Sequence, residues 1–287
     1  MSQQRVWLIT GANSGFGTEF VHQILARGDK VIATGRNPDR LAASLSETSA
    51  HLLKLDVTST LEELQSVAKQ AVEVYGRIDV LVNNAGYIET GTIEETTPDR
   101  TFQQFNTNVF GLLNVTRAVL PYMRERRSGT IVNISSIGAW IGYAGCGLYT
   151  ASKACITIIS KSLAMEVKPL GIEVHCIEPG YFATSLLTAS NLAVNTSASI
   201  PDYETTNKVV TDTLRSTSGN QPGDPVKGVS RIIEAITHSG HAKDKEIPVR
   251  VVLGDDAYEI SGQILARTTK EREEWKDWTT NVSRDDL

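Results

Sequence analysis

The stretch "RVWLITGANSGFG", residues 5–17, decides the fold. Val6 to Ile9 are apolar at consecutive positions, the pattern of a strand covered on both faces. Three glycines, Gly11, Gly15 and Gly17, come next, and a helical pattern starts at residue 15. Glycine permits tight turns and close backbone approach. The free amides at the start of the following helix then face an anion such as a pyrophosphate. Asn13, Ser14 and Phe16 complete the candidate anion cradle. The spacing departs from Gly-x-Gly-x-x-Gly, so a turn without a ligand is the competing reading. Its position, between the first strand and the first helix, favours binding.

The same rhythm continues outward. Apolar runs at 5–9, 30–34, 51–55, 78–82, 130–134, 172–177 and 248–253 read as strands. Helical patterns fill 15–27, 38–48, 60–76, 98–126, 148–168 and 225–238. Strict alternation predicts an α/β fold: one doubly wound domain over 1–287, with a seven-stranded, mostly parallel sheet and helices on both faces. Hydrophobic residues make up 40% of the 287, enough for one large core. A net charge of −5 gives no field to hold nucleic acid. Three scattered cysteines predict neither a disulfide framework nor a metal site. The start has no signal-peptide pattern and no apolar run is long enough to span a membrane, so a cytoplasmic protein is expected. Two segments break the alternation. Residues 188–223 open on a run rich in Ser, Thr and Asn and read as a flexible substrate-side lid. Residues 255–287 read as a polar C-terminal helical extension.

The second strand ends in "IATGRN". An acid there would accept from the ribose 2′-hydroxyl of NAD; Gly35 and Arg36 stand in its place. A guanidinium suits a 2′-phosphate, so NADP(H) is expected over NAD(H). Ser14 could add a hydroxyl contact. Asp56, in "LDV" with Val57, lies within reach of an adenine amine or simply caps a turn.

In "YTASK" (149–153), Tyr149 and Lys153 share one helix face at i, i+4. An ammonium beside a phenol favours the phenolate and predicts a depressed pKa. Asn108 falls on or beside the apolar side of its helix, where a buried amide needs partners. The ordered set "TGANSGFG", "LDV", "NNAG" (83–86), Asn108, "IVNISS" (131–136), "YTASK" and "PGYFAT" (179–184) resembles the short-chain dehydrogenase/reductase family. The later "VRVVLGDDA" is more similar to its hydroxysteroid- and retinol-dehydrogenase-like branch.

That resemblance implies Tyr149 as acid/base and Lys153 as its pKa-lowering partner and ribose ligand. It implies Ser136, rather than Ser135, as the group holding the substrate oxygen, and Asn108 as support for a water. Asn84, Ala85 and Gly86 would run along the cofactor. Pro179 and Gly180, with the Phe182 backbone and the Thr184 hydroxyl, would cover its nicotinamide. Trp140, Tyr143, Tyr181 and Leu186 would wall an apolar substrate site, suited to a hydrophobic ketone or alcohol. The expected activity is NADP(H)-dependent carbonyl reduction or alcohol oxidation, in a homodimer or homotetramer. A silent NADP-sensing protein, or a biosynthetic reduction or cyclisation, is the alternative.

Overall fold

The computed structural model describes residues 4–187, 192–194 and 200–284. The strands are β1 (Val6–Ile9), β2 (Lys30–Gly35), β3 (His51–Lys54), β4 (Val80–Asn83), β5 (Ile88–Thr90), β6 (Gly129–Ile134), β7 (Ile172–Pro179), β8 (Leu192–Val194) and β9 (Arg250–Leu253). The helices are α1 (Gly15–Ala26), α2 (Pro38–Ser44), α3 (Leu61–Tyr75), α4 (Pro98–Phe105), α5 (Leu112–Arg126), α6 (Gly147–Val167), α7 (Glu204–Thr217), α8 (Pro225–Thr237), α9 (Asp255–Glu274) and α10 (Lys276–Thr279).

Seven strands form one sheet in the order β3-β2-β1-β4-β6-β7-β9, and each pairing is parallel. Successive residues feed opposite faces. Ile9, Val31, Val82 and Val132 pack with Phe20 and Ile24 of α1 and Val229 and Ile233 of α8. Leu8, Ile32, Leu81 and Ile131 pack instead with Leu64 of α3 and Val115 and Val119 of α5. Each such buried side chain contributes roughly 1.5–3 kcal/mol of transfer free energy. Two cores with a sheet between them explain why the central strands read as continuous apolar runs.

Local chemistry sets the helix ends. Thr60 and Glu63 form a reciprocal capping box that opens α3, and Gly76, at φ 77°, closes it. Asn37 and Thr97 cap α2 and α4, each followed by a proline. The strand order reverses between β1 and β4, so a crevice opens at the carboxyl ends of the strands there.

Two boundaries depart from expectation. The 98–126 helix contains a π-helical turn, Asn106–Gly111, between α4 and α5. The 38–48 helix ends at Ser44. The segment expected as a lid contains α7, a fourteen-residue helix. The remainder of that lid at 188–191 and 195–199 lies outside the described residues. Among the described residues, no helix is long and apolar enough to cross a membrane.

Candidate active site

A cavity of about 1110 Å³ lies along the carboxyl ends of the strands. Its floor at one end is the glycine turn. Gly11 and Gly15 have φ of 64° and 55°, the left-handed region. A Cβ at Gly11 would stand 2.9 Å from Ala85 Cα, and one at Gly15 would stand 3.3 Å from Thr184 Cβ. Glycine at both positions keeps the left-handed turn and its close packing on Ala85 and Thr184. The Asn84 side chain locks the turn by donating to the Thr10 and Gly11 carbonyls, each at 3.0 Å. The Thr10 hydroxyl accepts in return from the amides of Asn84 and Ala85. Gly17 does not line the cavity; it packs beneath the turn, against the Gly11 carbonyl and Asn84.

Asn13, Ser14 and Phe16 border the same space, together with Arg36 just after β2, the α2 cap Asn37 and Arg40 of α2. Arg40 escaped the sequence reading; its backbone amide donates to the Asn37 cap at 3.0 Å. Asp56 and Val57 line the opposite wall. The Asp56 carboxylate accepts from the amide and hydroxyl of Thr58, at 2.9 and 2.7 Å, so its turn-forming role is present here.

Ser136, Tyr149 and Lys153 converge at the other end. Ser136 follows β6, and its hydroxyl accepts from the Gly138 amide at 3.0 Å while bonding Tyr149. Ser135 differs: its hydroxyl donates to the Lys153 carbonyl at 2.9 Å and meets Thr157. It braces α6. Lys153 Nζ donates to the Ile134 carbonyl at 2.8 Å and lies 5.8 Å from the Tyr149 ring centre. Gly86 lies between this lysine and Asn108: a Cβ there would crowd the Asn108 Oδ1 at 3.2 Å. Asn108 is buried in the π-helical turn. Its amide clasps both backbone groups of Tyr87 and donates to Ser152 at 3.1 Å. π turns recur at functional sites, where one inserted residue re-aims a side chain.

The pair is not electrostatically what its spacing predicted. Burial pushes the Tyr149 phenol up to about 12, against a smaller downward pull from its Ser136 bond. Burial also pushes the Lys153 ammonium down to about 8. In the chain alone the lysine therefore titrates at lower pH than the phenol, and at neutral pH both are protonated. The depressed phenol expected from the i, i+4 pair is thus corrected: desolvation by burial raises it instead.

Pro179 ends β7, and Gly180, Tyr181, Phe182 and Thr184 extend along the cavity. The segment is braced from both sides. Asp256 at the start of α9 accepts from the Tyr181 amide at 2.7 Å, and the Phe182 ring meets Phe16 edge-on at 5.1 Å. Tyr143 and Leu186 also line the cavity. Trp140 does not, which corrects its expected place in the substrate wall. Its indole donates to Glu178 at 2.6 Å and stacks under Arg250 at 3.6 Å. A fully buried carboxylate draws the ring behind the sheet edge, because Glu178 also needs Thr157 and Arg250, at 2.6 and 2.7 Å.

Sequence reasoning missed part of the wall. Val209, Val210, Thr213 and Leu214 of α7 reach the cavity. Their apolar spacing is faint among surrounding polar residues. Arg100 also reaches it, paired with buried Glu89. Among the described residues, no group of three or more His, Cys, Asp or Glu is disposed to hold a metal.

A parallel doubly wound sheet, with a glycine turn at its first crossover and a crevice at its switch point, defines a dinucleotide-binding α/β protein. The chain belongs to the short-chain dehydrogenase family, whose pattern matches residues 5–195. This is a family of oxidoreductases that bind nicotinamide cofactors. Oxidoreductase BOA17 of Botryotinia fuckeliana is 34% identical over 276 residues, covering 95% of this chain and 97% of its own. A 3-ketodihydrosphingosine reductase of Bacteroides thetaiotaomicron is 40% identical over 191 residues, covering 67% of this chain and 69% of its own. The crystal structure of a short-chain dehydrogenase from Streptomyces avermitilis superposes with a TM-score of 0.86 at 37% identity, over 99% of this chain and 100% of that one.

Proposed function

We propose that the protein is an NADP(H)-dependent carbonyl reductase, or the same enzyme run as a secondary-alcohol dehydrogenase, acting on hydrophobic ketones or alcohols. One observation carries the reading: Ser136, Tyr149 and Lys153 share a cavity whose far end holds the glycine turn and Arg36. The residues fit the cofactor. Gly11 and Gly15 line the cavity with bare backbone, and the turn amides suit a pyrophosphate. Arg36 and Arg40 suit a 2′-phosphate, and the β2 end brings no carboxylate into its corner of the cavity. When bound, NADPH supplies hydride to the carbonyl carbon.

The chain's own groups handle the oxygen. Ser136 holds it by hydrogen bonding, oriented by the Gly138 amide. Tyr149, a protonated phenol at neutral pH, gives it a proton. Lys153 offsets the charge left on the phenol and reaches toward the cofactor ribose, with Asn108 holding the Tyr87 backbone beside it. Tyr143, Tyr181 and Leu186 exclude water from the substrate side.

Tyr149→Phe should lower turnover of NADPH with hydrophobic ketones by roughly 10²–10⁴-fold, read as absorbance loss, while NADPH still binds. Arg36→Ala should weaken NADPH about tenfold and leave NADH nearly unchanged. Wild-type protein that turns over no ketone across a broad panel, or full activity in Tyr149→Phe, would overturn the proposal.

A further inference from the structure

Glu95 lies outside the reacting cluster, in the loop between β5 and α4, and is 4% exposed. Its carboxylate accepts from the Thr92 hydroxyl at 2.6 Å and from the Ile200 amide at 3.0 Å. The Asn207 side-chain amide donates to both of its oxygens, at 3.1 and 2.9 Å. Thr92 belongs to Glu95's own loop. Ile200 and Asn207 lie more than a hundred residues downstream, at the entrance and in the first turn of α7. Tyr203 adds a hydrogen bond to the adjacent Glu94 at 2.7 Å. The parallel pairing of β5 with β8 joins the same two segments.

What these bonds hold matters for the cavity. Val209 and Val210 follow Asn207 by two and three residues, and with Thr213 and Leu214 they form the α7 side of the wall. Val210 sits over Gly145, where a Cβ would come within 2.7 Å of its Cγ2. No residue of α7 is fully buried, so apolar packing alone grips this helix weakly. Directional bonds to an ionised carboxylate are among the stronger single contacts a protein makes. They fix where α7 sits.

We propose that Glu95 is a positioning residue that latches α7 over the apolar end of the cavity. By doing so it selects carbonyl substrates with an extended apolar group, which Val209, Val210 and Leu214 cover. The selection half rests on the carbonyl-reductase reading; the latch half does not. Loss of the latch exposes the α7 backbone and opens the wall without touching the Ser136–Tyr149–Lys153 cluster or the glycine turn.

The test uses the full chain as wild type, Glu95→Ala, Asn207→Ala and the double variant. Amide hydrogen exchange over 204–217 should speed up about tenfold in each, and the double variant should be no worse than the stronger single, because the two groups share one contact. With NADPH and a series of methyl ketones of rising chain length, KM should rise several-fold for the long members and stay level for the short ones. NADPH binding should not move. Unchanged exchange over 204–217 overturns the latch whatever the activity. Faster exchange with an unaltered chain-length preference overturns the selection. Wild-type protein inert toward every ketone overturns the reductase reading and the selection with it, while exchange still decides the latch. If Glu95→Ala does not fold, half-buried Asn207→Ala gives the same readouts from the other partner.

Discussion

Lys153 offers the sharpest test of how the proposed acid works. The perturbation is a rise in pH across its titration, run in parallel on Lys153→Met. Burial brings the ammonium to about 8 and the phenol to about 12. When Tyr149 gives up its proton, the phenolate formed lies with its ring centre 5.8 Å from the lysine nitrogen. At an effective dielectric of about 20, that separation is worth about 3 kcal/mol, or about 100-fold in rate. With a pKa of about 8, ammonium outnumbers amine about tenfold at pH 7, and the ratio is inverted at pH 9. The kcat/KM for NADPH reports the groups of the free enzyme. It should fall about tenfold over that interval in wild type. Lys153→Met should be about 100-fold slower at neutral pH and show no limb near pH 8.

Stability gives a second reading of the same titration. The folded pKa of Lys153 lies below its ordinary 10.5, so between about 8 and 10.5 the unfolded chain binds more protons. Stability should therefore rise with pH across that window, by up to about 3 kcal/mol, and the buried ammonium costs that full amount below it. Tyr149 acts in the opposite sense: its contribution is whole below its ordinary 10.0 and is lost toward about 12. Denaturant unfolding of wild type against Lys153→Met, from neutral pH to about pH 10, isolates the lysine. A flat wild-type rate profile, or a limb near pH 8 that survives in Lys153→Met, would refute the reasoning.

Glu178→Gln removes the charge that Arg250, Trp140 and Thr157 converge on, and should cost about 3 kcal/mol in urea unfolding with an unchanged m-value. Trp140→Phe should lose about 1 kcal/mol yet leave ketone KM alone; an altered KM would return Trp140 to the substrate wall. Phe102, Ile158 and Met165 are 58%, 60% and 72% exposed on α4 and α6, an apolar surface that a homodimer or homotetramer would cover. Ile158→Glu with Met165→Glu should sediment as a monomer; a monomeric wild type would sink that assembly.

What the sequence determined by itself is whatever a few neighbouring residues can encode. Consecutive apolar positions marked the seven strands, and their alternation with helices required parallel crossovers. The i, i+4 spacing put Tyr149 and Lys153 on one face, and the glycine turn placed a cradle after β1. None of these depends on a distant partner. The tertiary structure decided the rest. Trp140 left the expected wall because a carboxylate 38 residues away claims its indole. Helix α7 emerged from a polar stretch because Glu95, 112 residues from Asn207, supplies its anchor. Asn108 reached Tyr87 through a π turn that its periodicity did not signal. The proton affinities of Tyr149 and Lys153 moved apart, one upward and one downward, because burial acts on each group's own charge. Desolvation is the sum of everything packed around a group, and that sum exists only once the chain has folded.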